Sequence, residues 1–237
     1  MTFTLLAHDR PTKRWGGIAA TGNLCVGGWV LRGDARAGIS ASQGLSPSTL
    51  WGEDVLEIMR DGTPAPVAVA RLTASDEGHD ERQFMAIGLD GVPRAFTGSQ
   101  NHPACGEAVG TGAVAAGNML ASDAVPAAML AAFETASGTF EERLLAGLRA
   151  GQAAGGDARG TQSAAMLVVG PDMAPLSLRI DDSADPIAAL AALHAKTTNS
   201  AYAEWLDYVP TRADPNRQSH QGADIEAQPL PAEPIGR

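Results

Sequence analysis

Thr2 has the clearest capacity for covalent chemistry in this sequence, because it directly follows Met1. A threonine hydroxyl stays protonated at neutral pH and becomes a useful nucleophile only beside a base. Removal of Met1, which a small second residue favours, would free the α-amino group of Thr2 itself. The typical pKa of such a group, about 7.7–8.0, lets it accept the hydroxyl proton near neutral pH. We therefore expect a candidate nucleophile that needs no pro-segment, although a β-branched residue at the start of a strand is also ordinary.

Other polar residues could complete an acyl-transfer site around Thr2. Such a site needs hydrogen-bond donors for the oxyanion, and Asn118 is a candidate because its amide can donate and Gly117 allows close backbone approach. A simple turn residue is the alternative for Asn118. Thr21 and Asn23 are candidate substrate contacts, because an antiparallel return of the chain would place them beside Thr2.

A second polar cluster occupies residues 155–163. Asp157 and Arg159 could bind an amine and a carboxylate of a substrate, or they could pair with each other. Gln162 and Ser163 begin a predicted strand and could line the site. The cluster does not predict a phosphate site, because it lacks the lysine of a P-loop and leads into a strand. Similar candidates at other strand ends, where a pocket wall or solvent would suit them equally, are Ser42, Gln43, Thr97 and Ser99.

No metal or cofactor site is expected. His102 and Cys105, followed by Glu107, lack the second pair of ligands that zinc sites have. Lys13 lies in a predicted turn and Lys196 in a predicted helix, so neither is well placed to activate the nucleophile. The α-amino group of residue 2 is therefore expected to act as the base alone.

Alternating, β-prone segments predict the strands that must hold these residues. Residues 2–8 and 15–21 form a predicted hairpin around a turn at 9–14. The other predicted extended segments are 38–43, 82–89, 94–99, 110–120, 163–170 and 176–180.

Helical periodicity and capping residues predict five helices, at about 48–60, 63–73 and 122–135, and from 139 and 185 onward. Thr139 and Glu142 form a predicted capping box. The helices come in pairs between hairpins rather than singly between strands. This order favours an α+β fold with antiparallel sheets and outer helical layers over a parallel doubly wound sheet.

Charge and composition narrow the classes of function. The formal net charge of −10 argues against a nucleic acid or an anionic membrane as partner. No apolar run approaches the roughly 20 residues that span a bilayer, and no secretory signal is visible, so we expect a cytoplasmic protein. Two cysteines, Cys25 and Cys105, fit a reducing compartment, with one disulfide as the alternative.

Residues 1–208 are expected to form a single domain. From residue 209 to 237 apolar periodicity is lost, which is typical of a Pro-rich C-terminal tail. We expect this tail to dock, either on a partner subunit of a homodimer or higher homo-oligomer, or through a crystal contact.

Five short segments together resemble a bacterial family known as domain of unknown function 1028: residues 2–9 (TFTLLAHD), 41–43 (ASQ), 95–99 (AFTGS), 117–120 (GNML) and 153–164 (AAGGDARGTQSA). The resemblance runs from Thr2 to about Leu193. The family is grouped with the N-terminal-nucleophile (Ntn) hydrolases. This implies a four-layer αββα sandwich, with two antiparallel sheets between helical layers, and Thr2 as the nucleophile. It implies no particular substrate.

These features together predict hydrolysis of a small amide or related C–N bond by Thr2, on a small-molecule substrate and without a cofactor. One alternative is a non-catalytic binding protein or assembly subunit with the same fold. Another is an enzyme that uses a different site, such as Asp157 with Arg159.

Overall fold

Two antiparallel sheets lie at the centre of the structure, a computed structural model that describes residues 2–218. The strands are β1 (Thr2–Asp9), β2 (Arg14–Thr21), β3 (Leu31–Asp34), β4 (Gly38–Gly44), β5 (Arg82–Ile87), β6 (Pro93–Thr97), β7 (Gly106–Val109), β8 (Ala113–Asn118), β9 (Ser163–Val169) and β10 (Leu176–Ile180). The helices are α1 (Val26–Trp29), α2 (Thr49–Met59), α3 (Ala65–Ser75), α4 (Val125–Thr135), α5 (Phe140–Ala153), α6 (Pro186–Thr198) and α7 (Ala201–Leu206).

The first sheet has six strands in the order β10-β9-β2-β1-β8-β7, and the second has four in the order β3-β4-β5-β6. The predicted N-terminal hairpin forms, with Phe3 opposite Ala20 in the β1–β2 register. On the other side of β1, Thr2 is paired with Asn118 of β8. Because β1 is central in its sheet, residue 2 has a strand on either side.

Alternation along β1 divides its side chains between two cores. Phe3 and Leu5 face the helices on the outer side of the six-stranded sheet. Leu6 faces the second sheet, and Thr4 hydrogen-bonds to Gln43 there. Thr2 is on the same side as these two, so the end of β1 presents a hydroxyl toward the space between the sheets.

Helices cover the outer face of each sheet. The apolar faces of α4, α5 and α6 pack on the six-stranded sheet, and α2 and α3 pack on the four-stranded sheet. The predicted capping box forms at the start of α5: Thr139 N donates to Glu142 Oε2 at 2.8 Å, and Glu142 N donates to Thr139 Oγ1 at 3.2 Å. The fold is therefore a mixed α+β structure with two antiparallel sheets.

Several elements differ from those expected. Four short ones, α1, β3, β7 and α7, were not predicted, because four to six residues carry too little periodicity to identify an element. The helix expected from residue 63 begins at Ala65. Thr63 does not cap it, because both Thr63 N and Thr63 Oγ1 donate to Asp61 Oδ1. The helix expected from 122 begins at Val125, since Ser122 Oγ accepts a hydrogen bond from Ala124 N.

The described part of the C-terminal tail packs on its own chain. Ala213 N donates to Pro171 O at 2.7 Å, and Thr211 is buried. Residues 219–237 and Met1 lie outside the described residues, so docking of the tail on a partner and the removal of Met1 stay predictions.

Within residues 2–218, no helix combines the length and apolar character needed to cross a bilayer. The same region holds no cluster of three or more His, Cys, Asp or Glu side chains that could bind a metal. Cys25 and Cys105 are both unpaired there.

His8 near the end of β1 is a half-buried ring. It stacks on Trp15 with 4.7 Å between ring centroids and 10° between planes. Its buried Nδ1 has no hydrogen-bond partner among residues 2–218. Burial, aided by Arg10, lowers the pKa of His8 below 6.5, against the opposing effect of Asp9 and Asp90.

This pKa shift predicts that folding stability depends on pH through His8. Between the lowered pKa and about 6.5 the unfolded chain binds more protons than the folded one, so stability falls as pH falls through that window. Between about pH 7.5 and pH 5, the midpoint of urea denaturation should fall less in the His8→Gln variant than in the wild-type protein. Replacing the exposed His102 by Gln should leave this fall unchanged, and equal slopes for His8→Gln and wild type would contradict the assignment.

Candidate functional site

A small cavity of about 290 Å³ opens beside the first residue of β1. Its volume is just below the range of about 300–1,000 Å³ typical of small-molecule sites. Its walls come from the start of β1, the end of β2, the segment leading into α1, and the end of β4. The lining residues are Thr2, Thr21, Asn23, Leu24, Val26, Trp29, Val30, Gln43, Gly44, Leu45 and Pro47.

Thr2 is almost buried at the wall of this cavity, with 7% of its surface exposed. Its Oγ1 lies 3.4 Å from Thr21 Oγ1 on the neighbouring strand. Asn118, its partner on the other side, is also buried. The end of the six-stranded sheet therefore carries a row of three polar residues, Thr21, Thr2 and Asn118, whose side chains share one face.

Opposite this row, Gln43 and Gln83 form a buried amide pair on the second sheet, with Gln43 Nε2 2.7 Å from Gln83 Oε1. Gln43 Oε1 accepts from Thr4 Oγ1 at 2.6 Å, and Gln43 Nε2 also reaches Ala116 O at 3.3 Å and Thr2 O at 3.5 Å. These contacts connect the two sheets next to the candidate nucleophile. Because a buried amide without hydrogen-bond partners is unfavourable, these contacts also fix the position of the end of β1.

The amide pair extends away from the cavity through Gln83. Its Nε2 donates to Gly117 O at 2.9 Å and to Thr97 Oγ1 at 3.0 Å. Thr97 Oγ1 in turn donates to Glu107 Oε2 at 3.0 Å. Asn118 Nδ2 donates to Gln83 Oε1 at 3.1 Å. Thr97 is therefore a partner of the network and not part of the cavity wall.

Asn118 stands beside Thr2 but is not among the residues that line the cavity. An amide group carries two N–H donors, and the contact with Gln83 uses one of them. A role as oxyanion donor stays a prediction, which requires the second N–H to reach the reacting oxygen.

Residues 155–163 support the cavity wall through hydrogen bonds to its backbone. The buried Asp157 accepts from Gly22 N at 2.6 Å through Oδ2, and Ser163 Oγ donates to Asn23 O at 2.7 Å. Gln162 N donates to Thr21 O at 2.8 Å. These bonds hold the segment between β2 and α1, which supplies one side of the cavity.

Asp157 and Arg159 pair with each other, as the alternative expectation had it. Arg159 Nη2 lies 3.1 Å from Asp157 Oδ2, and Arg159 Nε lies 3.3 Å from Asp157 Oδ1. Neither residue is among those that line the cavity, and the pair lies in the loop that supports the cavity wall; a role in substrate binding stays a prediction.

Two predicted site residues lie elsewhere. Ser42 is paired with Phe84, which faces α2 and α3, so its side chain points away from the cavity. Its buried Oγ has no partner within the described part of the chain. Ser99 is exposed and donates to Asp80 Oδ1 at 2.8 Å, a contact that holds a surface turn.

Among the described residues, no titratable side chain lines the cavity. Lys13 lies in the β1–β2 turn and Lys196 in α6, both outside the lining set. Within residues 2–218, the cavity lining therefore offers no side-chain base to the Thr2 hydroxyl.

Sequence reasoning missed the apolar half of the cavity and the amide partner Gln83. Leu24 and Leu45 lie in irregular segments, and Trp29 ends the four-residue helix α1, which is too short for apolar residues to show a period. The signal for Gln83 was a polar residue inside an apolar strand, in the segment Arg82–Ile87 (RQFMAI). Such a residue must find a buried partner, but the sequence does not show which.

Comparison with known proteins places the chain in one group. A family described as "Family of unknown function (DUF1028)" matches residues 2–190. The crystal structure of protein SPO2555 from Silicibacter pomeroyi, assigned to the same family, is 49% identical in sequence. The match covers 92% of this chain and 98% of that one, with a TM-score of 0.88. No functionally curated protein matches the chain.

The buried amide pair predicts a large stability cost for a change at Gln83. Gln83→Met keeps an unbranched side chain of similar length but removes the oxygen that accepts from both Gln43 and Asn118. We expect a loss of roughly 2–4 kcal/mol in the free energy of unfolding, measured by urea denaturation. The exposed Gln100, changed to Met, is the matched control and should shift stability by less than about 0.5 kcal/mol. Equal, small effects would show that the network contributes little.

The loop that supports the cavity wall predicts a similar result for Asp157. Asp157→Ala removes the acceptor of Gly22 N and the partner of Arg159, and we expect a loss of roughly 2–3 kcal/mol. Asp172→Ala, which breaks an exposed ion pair with Arg14 at 3.3 Å, should cost about 0.5 kcal/mol or less. Limited proteolysis should then cut the segment between β2 and α1 faster in Asp157→Ala alone, and unchanged cutting would contradict the supporting role.

Proposed function

The chain belongs to the DUF1028 family of unknown function, and we propose that it is a hydrolase of a small amide or related C–N bond with Thr2 as its nucleophile. The observation that carries the proposal is the position of Thr2. Once residue 1 is removed, the α-amino group of Thr2 would face a small cavity. Among the described residues, no side chain that lines this cavity can act as a base.

We also infer that the layers correspond to the four-layer αββα sandwich of Ntn hydrolases. Two features support this: the sheets pack against each other through a shared apolar core, and helices cover both outer faces. In such a fold a nucleophile at the start of a central strand is held rigidly by its neighbours on both sides.

The first step of the proposed reaction is attack by Thr2 Oγ1 on the carbonyl carbon of the bound amide. The α-amino group of Thr2, neutral and freed of any preceding residue, accepts the hydroxyl proton. Negative charge then develops on the carbonyl oxygen. The second N–H of Asn118 and a backbone N–H are the proposed donors to it, each worth roughly 3–4 kcal/mol in comparable sites.

The protonated amine next donates to the leaving nitrogen, and the C–N bond breaks to leave an acyl ester on Thr2. Water, deprotonated by the same amine, attacks the ester and releases the acid. Thr21, Asn23 and Gln43 are the proposed polar contacts to the substrate, because their side chains share the cavity with Thr2. Asp157 and Ser163 contribute by holding the wall.

A homo-oligomer, a cytoplasmic location and a domain boundary near residue 208 stay predictions beside this proposal. A binding protein without catalysis is the second candidate, and the apolar half of the cavity would suit it equally. The experiment below separates the two.

The proposal predicts that amide hydrolysis depends on the hydroxyl and the free amine of Thr2. A panel of short acyl p-nitroanilides and ureido compounds should contain a substrate for wild-type protein whose N-terminal Thr2 is verified by intact mass. Thr2→Ala should lower kcat by about 10³-fold or more, while Thr2→Ser, which keeps the hydroxyl, should retain most activity. The rate should rise with pH through about 8, as the amine loses its proton.

Thr135→Ala, an exposed threonine on α4, is the matched control and should leave kcat unchanged. Retention of residues before Thr2 in natively expressed protein, or full activity in Thr2→Ala, would overturn the proposal. Ligand binding without turnover in protein that has Thr2 at its terminus would favour the binding protein.

A further inference from the structure

Among residues 2–218, no side chain that lines the cavity carries a charge, so away from the terminal amine of Thr2 this lining offers nothing to neutralise a charged ligand. Its polar lining within residues 2–218 consists of two hydroxyls and two amides, from Thr2, Thr21, Asn23 and Gln43. All four are neutral at any physiological pH and can exchange only ordinary hydrogen bonds with a ligand.

Charged side chains near the cavity already have partners. Asp157 is fully buried and binds both Arg159 and Gly22 N. Arg32, at the start of the second sheet, donates to Gly28 O at 3.2 Å and lies 3.5 Å from Glu53. A carboxylate or ammonium held against this lining would therefore lose part of its hydration without gaining an opposite charge from a side chain, which is unfavourable.

The mouth of the cavity is apolar and unusually exposed. Leu24, Trp29 and Leu45 leave 48%, 55% and 45% of their surfaces open to solvent, yet all three line the same opening. Single exposed apolar residues are common, but several around one concave site indicate a surface that is covered when a ligand binds. Val26 and Val30 continue this apolar wall inward.

We propose that the cavity selects an uncharged substrate whose acyl group is apolar and packs against Leu24, Trp29 and Leu45. The amide of the substrate lies at the polar end, beside Thr2 and Gln43, and the apolar group extends toward the mouth. Only the identity of the reacting bond rests on the proposed function. The preference for an uncharged, apolar ligand does not. The small volume and concave shape favour a small molecule over a second copy of the chain as the occupant.

Binding can be measured without turnover in the Thr2→Ala protein. Three amides of nearly equal length serve as probes: hexanamide, its analogue with a terminal carboxylate (adipic acid monoamide), and 6-aminohexanamide. Ligand-observed NMR titration should show hexanamide binding about tenfold tighter, or more, than either charged analogue. Equal or tighter binding of a charged analogue would overturn the proposal.

Two variants test which residues cause the preference. Trp29→Ala should weaken hexanamide binding severalfold, whereas Trp205→Ala, a comparably exposed tryptophan on α7, should not change it. Leu24→Lys should raise affinity for the carboxylate analogue relative to hexanamide, a reversal that a purely structural role would not produce. Light scattering on the same proteins shows whether the mouth is instead a contact between copies: loss of oligomer with unchanged affinity in Trp29→Ala would overturn the assignment.

The two proposals fail separately. Apolar preference in binding with no acylation or turnover at Thr2 would leave the selectivity intact and overturn the hydrolase. Turnover of charged amides in preference to hexanoyl amides would leave the hydrolase intact and overturn the selectivity.

Discussion

The hydrogen-bonded amide pair of Gln43 and Gln83 is the interaction on which the rest of the candidate site depends. Elsewhere the two sheets meet mainly through apolar side chains, which have no directional preference and would tolerate small relative shifts. Amides have fixed donor and acceptor positions, and here both are satisfied by Thr4, Asn118 and backbone carbonyls of the opposite sheet. One register between the sheets is thereby favoured, and with it the position of the first residue of β1.

The parts of the fold that follow from local physics could be predicted from the sequence. Alternation in residues 2–8 and 15–21 predicts a hairpin, and the hairpin alone brings Thr21 beside Thr2. The Thr139 capping box is likewise a local pattern with a local cause. The face toward which Ser42 points could not be predicted in the same way. Ser40 and Ser42 share one face of β4 and Gln43 lies on the other, and because the whole strand is buried the alternation does not show which face meets the cavity.

The cavity itself depends on contacts between distant segments. Leu24 and Trp29 form a wall because residues more than 130 positions later hold the backbone around them. Asp157 accepts a hydrogen bond from Gly22 N, and Ser163 accepts one from Val26 N. Nothing in the local sequence around residue 24 reveals that partnership. The same distance explains why Asp157 was expected to bind a substrate: a polar cluster in a loop has the same composition whether it contacts a ligand or another part of its own chain.

The side-chain hydrogen bonds that lead away from the cavity all run from donor to acceptor in the same direction. The hydroxyl of Thr4 donates to Gln43, the amide of Gln43 to Gln83, the amide of Gln83 to Thr97, and the hydroxyl of Thr97 to Glu107. Reversing any one member would set oxygen against oxygen or N–H against N–H, so the members can only reverse together. Backbone carbonyls of β8, which can only accept, fix that direction: Gln83 donates to Gly117 O and Gln43 donates to Ala116 O, and the carboxylate of Glu107 accepts at the exposed end. The backbone of β8 thus determines which atom of Gln43 faces each neighbour, and the polarity of the cavity wall is set by carbonyl groups of residues that do not line the cavity.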